Sequence, residues 1–339
     1  MTASHHGSRR RRFVSLQLAF ATSALAICLA APLVGPTPLR LDAILDRSIP
    51  FADNVDAQIF FIARLPRAIA GALVGSALAA AGVVLQALLR NPLATPFTLG
   101  VSAGASLGAM LVIVLGVPPL IAGIPAVPVA SFAGAFGAIG IVYALARLRR
   151  SGLSTNVLLL AGVTLNSLFS AIIIFVQYLA DYTQSFQAVR YLMGNLDVSS
   201  YTPIAWALPL LIVAASAFAW LPRSLNLLTL GDESAAARGV DVLRAQRVAF
   251  LSASLATGAA VSLGGPIGFV GIIIPHVVRM LVGADHRLVL PASACLGAAF
   301  LVSCDVAART LMSPLELPVG IITAMLGGPF FLWLLVSKR

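Results

Sequence analysis

The sequence predicts an all-α protein that crosses a membrane ten times, and three observations predict it. Of its 339 residues, 59% are hydrophobic and only 10% are charged, with a mean hydropathy of +0.98. A soluble globular domain carries about 25% charge. Charge-free runs recur along most of the chain, and a spanning helix needs ~20 mostly apolar residues. Laid alternately across a bilayer, these runs gather most basic residues on one side, as cytoplasmic loops do.

The elements follow in order. Residues 1–12 form a basic cytoplasmic tail carrying Arg9–Arg12, and residues 13–339 form the membrane domain. The first span lies within 13–39. Four arginines before an apolar run resemble a twin-arginine or secretory signal. The run is longer than a signal core and nine spans follow, so it reads as an uncleaved first helix. Residues 68–89 hold the second span. The run 91–146 is broken at Pro118, Pro119, Pro125 and Pro128, which gives a third and a fourth span around an outer turn. Residues 151–180 and 198–222 supply the fifth and sixth. The run 248–278 is interrupted by Gly264-Gly265-Pro266-Ile267-Gly268. The seventh span ends there, and the eighth runs past Arg279 to about Gly283. Residues 288–308 and 317–337 complete the ten. Both termini are then cytoplasmic, and Arg40, Arg47, Arg64, Arg67, Arg190 and Arg309 are left outside.

Several chemistries are excluded. The net charge of +10 does not imply a nucleic-acid partner, because a basic patch needs exposed polar surface to occupy. A P-loop needs Lys followed by Ser or Thr. Lys338 is the only lysine and precedes Arg339, so this chain does not hydrolyse ATP by that route and is not expected to be an enzyme. Cys28, Cys295 and Cys304 lack C-x-x-C spacing and read as buried hydrophobes. Gly104-Ala105-Ser106-Leu107-Gly108 matches the nucleophile-elbow pattern G-x-S-x-G, but an elbow needs a strand–turn–helix. Gly100, Gly104 and Gly108, like Gly71 and Gly75, recur every four residues, the spacing of close membrane helix packing. His276 is the only histidine within a span, so no metal site is expected. Asp305 and Glu316 lie near outer helix ends, leaving ion coupling no carboxylate at mid-membrane.

Three features carry function. Asn166, Ser170 and Gln177 on the fifth span fall within about 40° of one another on a helix; they are either helix–helix hydrogen-bonding groups or the wall of a polar solute path. Arg64, Arg67 and Arg309 stand outside against the charge trend. They read as headgroup anchors or, since arginine pairs bidentately with carboxylates, as a docking surface for an acidic partner. The inner segment 223–244 is the longest inner connection. Asp232 is expected to cap a short helix through Ala237 and Gly239 to end it, a structured contact for a cytosolic protein.

Several motifs then form a set: Arg64-Leu65-Pro66-Arg67, Gln86, Arg90-Asn91-Pro92-Leu93-Ala94-Thr95-Pro96 with Leu99-Gly100, and Gly231-Asp232-Glu233. Gly268-Phe269-Val270-Gly271, Pro275-His276 with Arg279, Asp285-His286-Arg287, Asp305, Arg309, Glu316-Leu317-Pro318 and Gly327-Gly328-Pro329 complete it. From about residue 60 onward the chain resembles the permease family of importers for iron-siderophore, heme and vitamin B12. The resemblance implies a type II ABC importer permease with ten helices, in which spans two to five and seven to ten are inverted repeats. It implies a second permease protomer, in a homodimer or a paralogous heterodimer, two cytosolic ATPase subunits that carry ATP and Mg, and an extracytoplasmic substrate-binding protein. No cofactor is expected on this chain itself.

By the same resemblance Arg64, Arg67 and Arg309 receive acidic residues of the binding protein. Leu230, Gly231, Asp232, Glu233, Ala236, Arg238 and Gly239 form the coupling contact with the ATPase. Thr155 and Asn156 sit at an inner gate, and Asn91 and Leu93 at a second inner constriction. The chain is expected in the bacterial cytoplasmic membrane, carrying an iron chelate, vitamin B12 or heme. The alternative is a stand-alone secondary transporter or channel for a small polar solute.

Overall fold

The computed structural model describes residues 3–46, 48–118, 120–121, 123–148, 155–198 and 200–337. Helix α1 (Ala3–Ala30) joins the basic cluster and the first apolar run in one helix, so the expected tail is helical and continuous with the first span. A 3-10 turn, Ala31–Leu33, follows. The connection to the next long helix contains α2 (Leu41–Leu45), α3 (Val55–Gln58) and a π-helical stretch, Ile59–Arg64. It delivers the chain into α4 (Leu65–Leu88), where Pro66 occupies the first turn, a position whose N–H has no helical partner in any case. A 3-10 turn, Phe97–Leu99, precedes α5 (Val101–Val114). Strands β1 (Leu120–Ile121) and β2 (Ile124–Pro125) pair antiparallel, which gives the turn expected between the third and fourth runs.

The remaining helices are α6 (Ala126–Leu148), α7 (Thr155–Tyr178), α8 (Tyr182–Leu192), α9 (Thr202–Trp220), α10 (Pro222–Leu228), α11 (Asp232–Ala236), α12 (Val242–Gly264), α13 (Val270–Val282), α14 (His286–Thr310) and α15 (Val319–Ser337). By length and composition α1, α4, α6, α7, α9, α12 and α14 can each cross a membrane, while α5, α13 and α15 are shorter apolar helices. Each of the ten spans read from the sequence thus corresponds to an apolar helix. Helix α8 was not expected. It is amphipathic and opens on a capping box, in which the Asp181 carboxylate accepts from the Gln184 N–H and the Gln184 side-chain oxygen accepts from the Asp181 N–H.

The core is centred on α4, which is buried along nearly its whole length and packs on α12, α13 and α14. Its glycines make that approach possible. A Cβ on Gly75 would fall onto the Gly297 carbonyl of α14, and one on Gly297 would fall onto the carbonyl of Gly75. Helices α5 and α6 meet the same way, with Gly104 against Gly134 and Gly108 against the Ala130 carbonyl. Ser106 is buried inside α5, so the G-x-S-x-G match is a packing surface. Helix α7 turns much of its apolar surface outward, including Leu160, Val163, Ile174 and Phe175, as α15 does with Met325, Leu326, Leu332 and Trp333.

Candidate functional site

The expected functional residues collect at the two ends of α4 and on α7. At the N-terminal end, Arg67 is 6% exposed and lies between two carboxylates. Its Nε donates to Asp305 at 2.8 Å and its Nη1 to Glu316 at 2.6 Å. Asp305 sits on α14 one turn before Arg309, whose Nε lies 3.6 Å from the other carboxylate oxygen. Arg309 also donates from Nη2 to the Ala31 carbonyl at 2.7 Å. Arg64 turns toward the chain after α1, with its guanidinium on the carbonyls of Pro32, Leu33 and Thr37.

All three arginines are therefore brought together, as the sequence suggested, but not as an open surface. Arg64 is 5% exposed and Arg309 is 3% exposed. The reason is that burying a guanidinium requires partners, and this end supplies them from three separate segments: the turn after α1, α14, and the loop before α15. The side chain of Glu316 is the accessible member of the cluster, at 46% exposure. Asp305 and Glu316 serve Arg67 and Arg309, and backbone carbonyls serve Arg64.

At the other end of α4 the backbone makes a sharp reversal. Arg90 adopts φ +48, a left-handed conformation that costs energy for a residue bearing a Cβ. Its Nε donates to the Leu228 carbonyl at the end of α10, at 2.9 Å, and its Nη2 pairs with Asp232. Gln246 of α12 donates to the second oxygen of Asp232 at 3.3 Å. The Asn91 N–H donates to the Gln86 carbonyl, and its side-chain oxygen accepts from the Leu93 N–H at 2.9 Å, an Asx turn. Leu93 is exposed. Gln86 is buried in turn; it donates to the Gly271 carbonyl of α13 at 3.0 Å and accepts from Arg279.

The segment 223–244 folds as the helix pair α10–α11. Asp232 does not cap α11. Gly231 holds the N-cap position, and Asp232 is the first helical residue, because its carboxylate is committed to Arg90 and Gln246. Gly239 does end the helix, at φ +82. Its N–H donates to Ala236 and that of Val240 to Ala235, the Schellman arrangement. Leu230, Glu233, Ala236 and Arg238 are exposed. Asn226 ties α10 to α14: its Nδ2 donates to Asp285 at 2.7 Å, and its oxygen accepts from the His286 N–H at 2.9 Å. Partial burial works against the Asp285 charge, yet the bonds from Asn226 and the Arg287 N–H hold its carboxyl below the usual carboxylate range. The roles of Asn226 and Gln246 escaped the sequence reading, which had only the cluster Asp285-His286-Arg287 as a signal.

On α7, Asn166 and Ser170 face outward and Gln177 is half-buried on the same side. Thr155 and Asn156 fall at the start of α7, and their side chains lie outside the described residues. Among the described side chains, Asn166, Ser170 and Gln177 are not part of either arginine cluster.

Comparison with known proteins places this geometry. The profile of the FecCD transport family matches residues 23–337. The hemin transport system permease protein of Yersinia pestis is 41% identical over 284 residues, covering 83% of this chain and 84% of the relative. The cobalamin import system permease protein of Halobacterium salinarum is 42% identical over 276 residues, covering 81% and 73%. A solved inward-facing metal-chelate type ABC transporter superposes with a TM-score of 0.81 at 31% identity, over 96% of this chain and all of the other.

Proposed function

The chain belongs to the FecCD transport family, and on that premise we propose that it is the permease subunit of an importer taking a metal chelate into the cytoplasm. Relatives named for hemin and for cobalamin support a large metal-bearing macrocycle or an iron chelate as the cargo class. The observation that carries the reading is the family match along nearly the whole chain, joined to a folded helix pair, α10–α11, that exposes Leu230, Glu233, Ala236 and Arg238. Such a surface suits seating on a separate ATPase, which supplies ATP and Mg. A second permease protomer places the outward polar face of α7, with Asn166, Ser170 and Gln177, along a path between the two subunits, and Asn91, Leu93, Thr155 and Asn156 near its inner end.

The opposite end faces the binding protein. There Asp56 acts on Arg64, Asp305 and Glu316 meet Arg67 and Arg309, and Glu316 is the member of the Arg67 cluster a partner reaches first. An acidic group on the binding protein takes over from Glu316 at Arg67.

The test is reconstitution of the permease with its ATPase subunits and binding protein in vesicles, followed by uptake of hemin, cyanocobalamin and a ferric siderophore. Uptake of one of these that requires ATP and both partners is expected; uptake by the permease alone would identify a stand-alone transporter. Docking is tested separately: Arg64→Glu with Arg67→Glu abolishes stimulation of ATP hydrolysis by the loaded binding protein, and Glu316→Gln strengthens binding. Unchanged stimulation in the double variant removes the docking role.

A further inference from the structure

We infer that Arg90 is the mechanical link between the helix pair α10–α11 and the Asn91–Leu93 turn, so that movement of the one is transmitted to the other. The inference rests on the reading of α10–α11 as the ATPase contact, and it adds a positioning residue in the loop between α4 and α5.

The geometry is specific. One guanidinium reaches both members of the helix pair: Nε takes the Leu228 carbonyl where α10 ends, and Nη2 takes Asp232 where α11 begins. It grips the short connection between them from both sides. Three residues later in its own chain stands Leu93, exposed and tied back to Asn91 through the Asx turn. The backbone at Arg90 is held left-handed, a strain that surrounding contacts must maintain. On the other flank the turn is anchored by Asn91 to Gln86, and Gln86 is fixed to α13. One side of the turn is thus bound through Gln86 to the buried Gly271 of α13 and the other to the α10–α11 helix pair.

The exposure of the pair argues for transmission over stability. The Arg90 and Asp232 side chains are 44% and 50% exposed, and ion pairs this open contribute little to folding. A bond that adds little to stability, yet joins segments 142 residues apart across a strained turn, acts through position. Gln246 holds the other Asp232 oxygen, so the carboxylate presents a fixed orientation to Arg90.

The test uses the assembled complex with its ATPase subunits, in a background where Cys28, Cys295 and Cys304 are changed to alanine. A nitroxide is placed at Leu93→Cys or at Ala236→Cys, and its spectrum is recorded with and without ATP and vanadate. Nucleotide is expected to change the spectrum at both positions in the parent. With Arg90→Ala or Asp232→Asn the response at 236 persists while that at 93 falls at least threefold. The charge exchange, Arg90→Asp with Asp232→Arg, restores at least half of the response at 93. A response at 93 that survives both single variants overturns the link while leaving the ATPase contact standing. Singles and exchange that are equally deficient overturn it also, by showing that something other than the pair is required. No response at 236 in the parent overturns the ATPase contact itself, and the link with it.

Discussion

An arginine stands at each end of α4, and the two are held in opposite ways. Arg67 is enclosed, with its charge met by Asp305 and Glu316. Arg90 is half in solvent, with one carboxylate and one backbone carbonyl for partners. The first arrangement cannot lose its buried carboxylate, Asp305, without leaving arginine charge stranded in apolar surroundings, whereas the second can lose Asp232, because water replaces it. The comparison separates charge that the fold depends on from charge that only a moving part depends on, and each variant below is a way to break or sharpen that division.

The largest effect is expected at Asp305. Asp305→Ala leaves Arg67 and Arg309 facing one another with only Glu316 to offset them. Breaking a buried ion cluster from one side typically costs about 3–5 kcal/mol. Thermal unfolding of the detergent-solubilised permease should show a large fall in midpoint. A variant within a degree of the parent would show that the cluster is hydrated and that the contrast between the ends is false.

Next comes the packing that carries α4 between its two ends. Gly75→Val forces a side chain into the Gly297 carbonyl, and overpacking of this kind costs about 1–3 kcal/mol. Gly137 on α6 is the control, with nothing within 4 Å of a Cβ built there. Gly137→Ala should stabilise slightly, by about 0.5–1 kcal/mol, since alanine loses less backbone entropy in a helix. If both substitutions behave alike in the same melt, close approach is not what fixes α4 against α14.

These variants also mark where the sequence was readable. The ten apolar helices were legible because length and charge-freedom are properties of a single run. The small-residue spacing of Gly71, Gly75, Gly104 and Gly108 was legible for the same reason. Helix α8 was missed because it is short and amphipathic and carries charge, although Asp181 with Gln184 three residues later is a capping signal that marks its start. The arginine cluster was legible only as a list of residues. That Arg67 meets Asp305 and Glu316, 238 and 249 positions away, follows from how α4 and α14 pack, which periodicity does not encode. The misassigned cap at Asp232 has the same origin: local spacing pointed to a helix start, and a tertiary partner, Arg90, claimed the carboxylate instead.

A smaller effect is expected where a carboxylate does cap. Asp241 accepts from the Arg244 N–H at 3.0 Å at the start of α12. Asp241→Ala should cost about 1 kcal/mol, and the same change at Asp232 should cost less, because no backbone N–H depends on it. Equal losses in paired melts would mean that Asp232 supports α11 after all.

The smallest change in stability is expected at Arg90. Removing its side chain frees the Asp232 carboxylate at a half-exposed position where water can reach it, while the carbonyl of the buried Leu228 keeps the Gly231 N–H as a donor. An exposed ion pair is worth about 0–1 kcal/mol, and the strain of a left-handed arginine is not relieved by alanine, which carries the same Cβ. Arg90→Ala should therefore unfold within about 1 kcal/mol of the parent. Arg90→Gly should be as stable or more so, since glycine adopts φ +48 without steric cost. That ordering is specific to a turn whose shape is imposed from outside. If alanine instead destabilised the chain as Asp305→Ala does, Arg90 would belong with Arg67 as part of the scaffold, and the two ends of α4 would differ only in depth.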